Sequence, residues 1–501
     1  MERIDQFKNE ITQGYTSKGG AISLGGAILD GQAHAIPVAI PLKTMNRHGL
    51  IAGATGTGKT KTIQVLSEQL SQNGIPVLMM DIKGDFSGIA KEGEVKDFIT
   101  ERHTKINIPF SPKSFPVELL TLSKQEGVKL RATVSEFGPV LFSRILDLNE
   151  TQAGVIAVIF KYCDDKKMPL LDLKDIKKVM NYITEEGKDE ISELYGKIST
   201  ATTGTILRKI IELEQQGADI FFGEKSFEID DLMRIDENGY GYVNIVRLND
   251  IQDKPKLFST FMLNLLAEIY NQMPEKGDVE QPELVIFIDE AHLIFSEASK
   301  ALSEQIETII KLIRSKGIGV YFITQNPTDV PKEVLAQLGL KIQHALRAFT
   351  ANDRQAIKQT SENYPLSEFY KTDEVITSLG IGEALVTALN EKGIPTPLVA
   401  CMMRAPESRM DILTESEIAK INSDSRLVEK YQEEIDRESA YEILNKKIEE
   451  ISEEVAEKEE EKRASKEPGM GEVIGKSVVK VVTSASFIRG AFNVLMKVLK
   501  K

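Results

Sequence analysis

The sequence predicts an α/β protein with a mostly parallel central sheet, a helical insertion and a C-terminal helical extension. Three observations predict it. A glycine cluster at 53–58 sits between an apolar run and a helical pattern, the strand–loop–helix order of parallel sheets. Apolar runs at 75–81, 284–289 and 318–324 each end in a polar residue and alternate with helical patterns. Between them, from about 113 to 239, the periodicity is mostly helical.

Taken in order, residues 1–48 form a short N-terminal segment. Ile4, Phe7 and Ile11 share one face of a helix over 1–13, and the Gly-rich stretch 20–42 reads as short strands. Residues 49–112 are the first part of the sheet domain: a strand from Gly49 to Gly53, a helix over 61–72, and a strand from Ile75 to Asp81. Residues 113–239 are the insertion, with helices expected at 118–137, 150–163, 172–186, 189–199 and 204–217; Glu150 and Thr151 stand at a helix start. The sheet resumes over 240–408, with strands at Gly241–Val246, Leu284–Asp289, Ile318–Thr324, 341–349 and 383–389, and helices at 256–271 and 300–314. Pro395, Pro397 and Pro406 mark the end of the compact core. Residues 409–468 are a charged helical extension; 411–468 hold 19 acidic and 10 basic residues. Tyr441, Leu444, Ile448, Ile451 and Val455 make an a/d seam about two heptads long. Residues 469–501 are a basic amphipathic tail with Lys476, Lys480, Arg489, Lys497, Lys500 and Lys501, suited to self-association, a partner helix, an anionic membrane surface or nucleic acid.

Composition narrows the classes. At 501 residues the chain is too long for one ordinary domain. With 41% hydrophobic and 28% charged residues it is neither disordered nor fibrous. No run of roughly 18 uncharged apolar residues occurs, and the start MERIDQFKNE has no apolar signal region, so a cytoplasmic protein is expected. Cys163 and Cys401 have no metal or disulfide spacing, and the five histidines form no metal pattern. The net charge of −14 argues against a binder that meets nucleic acid with its whole surface; contact would need a local patch or a ring interior.

The strongest motif is Gly53-Ala54-Thr55-Gly56-Thr57-Gly58-Lys59-Thr60, with Lys61 next in the helix. It fits G-x-x-x-x-G-K-[ST] at every fixed position and in the required context. Glycines let successive N–H groups turn inward on phosphate oxygens, and the helix start adds its positive end. Lys59 would bridge the terminal phosphates and Thr60 would offer a hydroxyl to Mg²⁺. Leu284-Val-Ile-Phe-Ile-Asp289-Glu290 puts two carboxylates where open α/β sheets bind ligands. Asp289 suits the Mg²⁺, and Glu290 suits activation of the attacking water. Ile318–Thr324 ends at Gln325, placed to sense the terminal phosphate or orient water. Arg314, Arg347 and Arg354 are candidates for a cation against the transition-state charge. His292 reads as structural or a polar relay. Asp81-Ile-Lys83-Gly-Asp85 is either a nucleotide- or DNA-facing element or a simple strand-to-turn transition.

The P-loop, IFIDEAHLIF, IRSKGIGVYFITQNP and QHALRAFTANDRQAI together resemble the HerA/FtsK branch of RecA-like ATPases, in particular a bacterial group of HerA-like helicase C-terminal-domain proteins. The resemblance covers roughly residues 15–405. It implies a RecA-like P-loop core, a hexameric ring with ATP between subunits, and passage of DNA through the ring. It implies Walker A roles for Lys59 and Thr60, Walker B roles for Asp289 and Glu290, a sensor role for Gln325, and finger roles for Arg314 or Arg347. Only a short segment precedes Gly53, so the N-terminal barrel of archaeal members is expected to be absent or vestigial, and their end-resection role is not carried over. Two functions follow as expectations: an Mg-ATP-dependent ring ATPase that moves DNA, or an ATP-gated interaction protein that uses 411–501 to organise a protein or membrane partner. A metabolic kinase fits poorly, because Glu290 beside Asp289 suits water activation.

Overall fold

A computed structural model describes residues 3–295, 300–348, 350–433, 435 and 437–464. The tail expected at 469–501 lies outside them. Residues Met1–Leu444 form one compact unit, and a second begins at Asn445.

The first unit is built on a twelve-stranded sheet: β1 (Ala21–Leu29), β2 (Gln32–Pro41), β3 (Gly49–Ala52), β4 (Val77–Asp81), β5 (Val117–Thr121), β6 (Val128–Lys129), β7 (Val243–Arg247), β8 (Leu284–Ile288), β9 (Ile318–Thr324), β10 (Leu340–His344), β11 (Glu383–Thr387) and β12 (Val399–Met403). The order is β2-β1-β12-β11-β10-β3-β9-β8-β4-β7-β5-β6. From β10 to β6 every pair is parallel. From β10 back to β2 every pair is antiparallel. β3, β4, β8 and β9 are buried along their whole lengths, which fits their continuous apolar runs.

Three helices frame the P-loop side: α1 (Arg3–Tyr15), α2 (Lys59–Gln72) and α3 (Asp97–Ile106). α1 buries Phe7, Ile11 and Tyr15, the face its spacing predicts. The insertion forms helices at Val134–Ile145, Glu150–Lys166, Leu173–Thr184, Lys188–Tyr195 and Thr200–Leu213. Thr133, Asn149 and Asp172 close capping boxes at the first three, so the helix start expected at Glu150 is capped by the residue before it.

The structure departs from expectation in four places. The helix expected from 118 is strand β5, with Glu118 buried and ion-paired to Arg234. That hidden charge breaks the strand's apolar run and makes the spacing look helical. β12 lies between the prolines read as the end of the core. The strand expected over 341–349 stops at His344, where β11 starts and no antiparallel partner remains. The compact unit also continues beyond Pro406 to Leu444, because the following segment is tied to the insertion. Arg131 donates to Tyr431 O, Tyr431 bonds Asp231, and Ser439 and the N–H of Tyr441 bond Asp175. Of the expected seam, Leu444 is buried, while Ile451 and Val455 are exposed in the second unit's helical stretch.

Candidate functional site

β3 ends at Ala52 and the chain turns through the glycine loop into α2. Gly53 has φ 153°, and a Cβ there would lie 2.5 Å from the Cβ of His344. Gly58 has φ 115°, and a Cβ there would lie 3.1 Å from the Cα of Gly382. Only glycine suits both positions. The loop is held from either side: Gly53 N–H donates to Thr324 O (3.3 Å), Ala54 N–H to Ala345 O (2.9 Å) and Gly382 N–H to Thr57 O (2.9 Å). Gly58 caps α2 without a side chain, so no capping side chain competes for its first N–H groups.

Lys59 is buried, and its ammonium donates to Gly53 O (2.6 Å) and Ala54 O (3.1 Å). Burial pushes this ammonium down, and the charge of Lys83 adds to the effect; Glu290, Asp289 and Asp85 oppose it. The Thr60 hydroxyl donates to Asp85 Oδ2 at 3.2 Å. Lys61 sends its ammonium away from the loop, to Met410 O and Gln64. Its backbone alone remains available at the helix start.

Asp289 and Glu290 follow β8, two strands from β3, and both are buried. Burial raises the Asp289 carboxyl to about 6, against the pull of Lys83. Glu290 has φ 47°, a conformation uncommon outside glycine, at the carboxyl end of its strand. Its Oε1 is 2.5 Å from Lys83 Nζ and its Oε2 is 3.3 Å from His292 Nδ1. Burial pushes this carboxyl up, but Lys83, His292 and Gln325 outweigh it and hold it below the usual carboxylate range. Gln325, just past β9, is exposed, and Thr55 Oγ1 lies 3.4 Å from its Oε1. Lys59, Thr60, Asp289, Glu290 and Gln325 therefore converge.

The arginines do not join them equally. Arg314 opens the turn before β9, at the opposite end of that strand from Gln325, about 20 Å away for a seven-residue strand. Arg347 is exposed just past β10, at the P-loop edge, near Thr377 O (3.4 Å). Arg354 is exposed on the helix Ala351–Ser361.

Several supporting residues escaped the sequence reading. His344 backs the loop: its Nε2 is 2.9 Å from Thr62 Oγ1 and its Nδ1 is 2.9 Å from Glu383 O. Burial pushes it down to about 4, so it is neutral near pH 7. Arg102 of α3 donates to the carbonyls of Gly382, Met403 and Ile381. A cleft of about 320 Å³ opens beside the start of α2, between Lys61, Phe98, Ile381 and Met403. His344 and Arg102 act on chain far from them in sequence, so neither left a local pattern.

A glycine loop feeding a helix from one parallel strand, with an acid pair ending a parallel strand two places away, defines a RecA-like P-loop nucleoside triphosphatase fold. Plasmid coupling protein TrwB, in complex with the non-hydrolysable ATP analogue ADPNP, has the same fold: TM-score 0.52 and 15% identity, over 81% of this chain and 94% of that one. TrwB with ADP and Mg²⁺ is similar at TM-score 0.50 and 15% identity, over 80% and 94%. Within this class the chain belongs to the helicase HerA-like C-terminal family, which it matches over residues 28–499. It is 26% identical over 365 residues to the DNA double-strand break repair helicase HerA of Sulfurisphaera tokodaii, covering 70% of this chain and 64% of that protein's length.

Proposed function

We propose that the chain is a Mg²⁺-dependent ATP hydrolase that works as a ring of copies, most simply a hexamer, and moves DNA. The observation that carries this reading is the convergence of Lys59 and Thr60 with Asp289 and a buried, charged Glu290. The donor set fits the ligand. The α2 start and Lys59 suit phosphate, and the hydroxyl of Thr60 and the carboxylate of Asp289 are the hard oxygens that Mg²⁺ takes. Mg²⁺, when bound, would neutralise charge on the phosphates. Glu290 accepts a proton from the attacking water. Gln325, between Thr55 and Glu290, couples the loop to the water-activating group. The cleft between Phe98 and Ile381 receives the base; both side chains are more than half exposed and apolar.

For the finger, Arg347 is favoured over Arg314 and Arg354, since it stands exposed two residues past the Ala345 carbonyl that holds Ala54, on the side of its own copy's phosphates. Similarity to a DNA repair helicase supports DNA as the track. Contact through a ring interior is compatible with the acidic total charge and would be sequence-independent and salt-sensitive. Among the described residues no helix is long and apolar enough to cross a membrane.

The test is steady-state ATP hydrolysis with and without single- and double-stranded DNA. DNA is expected to stimulate turnover. Glu290→Gln is expected to lower it by about 10²–10⁴-fold, the usual worth of a positioned proton acceptor, and Lys59→Ala by about 10²–10³-fold, the worth of one preorganised electrostatic group. Hydrolysis indifferent to DNA, yet lost in both variants, would keep the hydrolase and sink the motor. Attention would then turn to a protein or membrane partner of 411–501.

A further inference from the structure

A second ammonium stands among the acids of this site. Asp81, buried at the end of β4, accepts the N–H groups of Gly84 (2.8 Å), Asp85 (3.2 Å) and Phe86 (3.2 Å). These bonds fold residues 82–86 into a tight hook beside β8. The hook reaches both halves of the nucleotide machinery: Asp85 takes the Thr60 hydroxyl, and Lys83 takes Glu290 Oε1 at 2.5 Å. The Lys83 side chain is a third exposed, whereas that of Glu290 is almost wholly buried. Lys83 is therefore the partner with room to move. Its charge is felt at Lys59 and at Asp289, so it lies within reach of the region where the terminal phosphate would sit.

That pairing conflicts with the work assigned to Glu290. A carboxylate oxygen bonded to an ammonium has its lone pairs engaged and its basicity reduced, so it is a poor acceptor for a water proton. A terminal phosphate carries more charge than a carboxylate and competes well for the same ammonium.

We propose that Lys83 is a second phosphate-binding residue that exchanges between Glu290 and the terminal phosphate of ATP, so that Glu290 becomes free to orient water only when ATP has drawn Lys83 away. This inference rests on the reading of Glu290 as the water-activating group. It gives the hook a purpose: it links substrate binding to release of that carboxylate and holds the carboxylate engaged once the phosphate departs.

The test is a double-mutant cycle in equilibrium binding, using the full-length chain, Mg²⁺ and a fluorescent non-hydrolysable ATP analogue. Glu290→Gln abolishes the ion pair and leaves Lys83 free for phosphate. It is expected to tighten binding about 10-fold, within the usual range of coupling between sites. Lys83→Met is expected to weaken binding, and in that background Glu290→Gln should give no tightening. Equal tightening in both backgrounds would show general relief of negative charge and overturn the proposal, as would no tightening with Lys83 present. Lys83→Gln serves as a second neutral variant if Lys83→Met fails to fold. Failure of the underlying reading looks different: Glu290→Gln would then hydrolyse ATP like the unmodified chain, whatever the binding cycle shows.

Discussion

At the carboxyl ends of β3, β9, β8 and β4, four neighbouring parallel strands, consecutive loops present Lys59 and Thr60, Gln325, Asp289 and Glu290, and Lys83. Among the antiparallel strands, β11 begins and β12 ends beside the same loop, and neither sends one of these groups into it. They brace it instead. Gly382, just before β11, bonds Thr57; Arg102 gathers the carbonyls of Ile381, Gly382 and Met403; Glu68 of α2 receives the N–H groups of Glu407 and Ser408 beyond β12. Parallel strands end side by side at one edge, so they bring side chains from distant sequence onto one ligand. The antiparallel strands, tied to α2 and α3, supply rigidity. A change in the first region should therefore cost turnover without stability, and a change in the second should cost stability first.

The largest effect expected is in the parallel region. Asp289→Asn should lower turnover by about 10²–10³-fold, comparable to losing one preorganised electrostatic group. It should not lower the melting temperature, because it removes a buried carboxylate that faces Glu290 and Asp85. Hydrolysis assays beside thermal unfolding check both halves. A fall in stability matching the fall in turnover would break the division of labour.

Arg102→Ala comes next and should reverse the pattern. Its guanidinium makes three charge-assisted hydrogen bonds to main-chain carbonyls, so its loss should cost about 2–3 kcal/mol in denaturant unfolding. Turnover at saturating ATP should fall less than threefold in the fraction that remains folded, while KM rises as the floor under Gly58 loosens. A large fall in kcat with unchanged stability would move Arg102 into the chemistry.

The same division decides what could be read from the sequence. Lys59, Thr60, Asp289, Glu290 and Gln325 stand out because each lies beside its own strand, within a contiguous pattern whose chemistry is local. Lys83 was visible only as part of the Asp81–Asp85 segment, open between a nucleotide- or DNA-facing element and a strand-to-turn transition, since its partner lies more than 200 residues away. Arg102 and His344 were illegible for the same reason. β5 was misread because burial of Glu118 depends on Arg234 and Ser425, which fold against it from distant segments. β12 was hidden between prolines whose role at strand ends becomes clear only when the antiparallel partners β11 and β1 are in place. In each case the missing information is a tertiary partner.

The smallest effect is a pH slope at the joint between the two regions. Glu68 is almost completely buried, and burial raises its carboxyl to about 7 from the ordinary 4.5; the donors Ser408 and Glu407 N–H oppose the shift. Between these values the folded chain keeps a proton that the unfolded chain has lost. The stability due to Glu68 is therefore fully present below about pH 4.5 and declines as pH rises towards 7. Glu68→Gln holds a neutral group at every pH and should flatten this decline. The slope should not vanish, because Asp81, raised to about 7 by burial and the charge of Asp85, acts with the same sign. The variant also gives up one acceptor oxygen at Glu407 and Ser408, a constant loss of about 1 kcal/mol that displaces its curve without tilting it. Urea unfolding at intervals from pH 4.5 to 7.5 separates the two components. Parallel curves would mean that Glu68 is ionised throughout, and that α2 is fastened to the segment after β12 by a charged contact at every pH in that range.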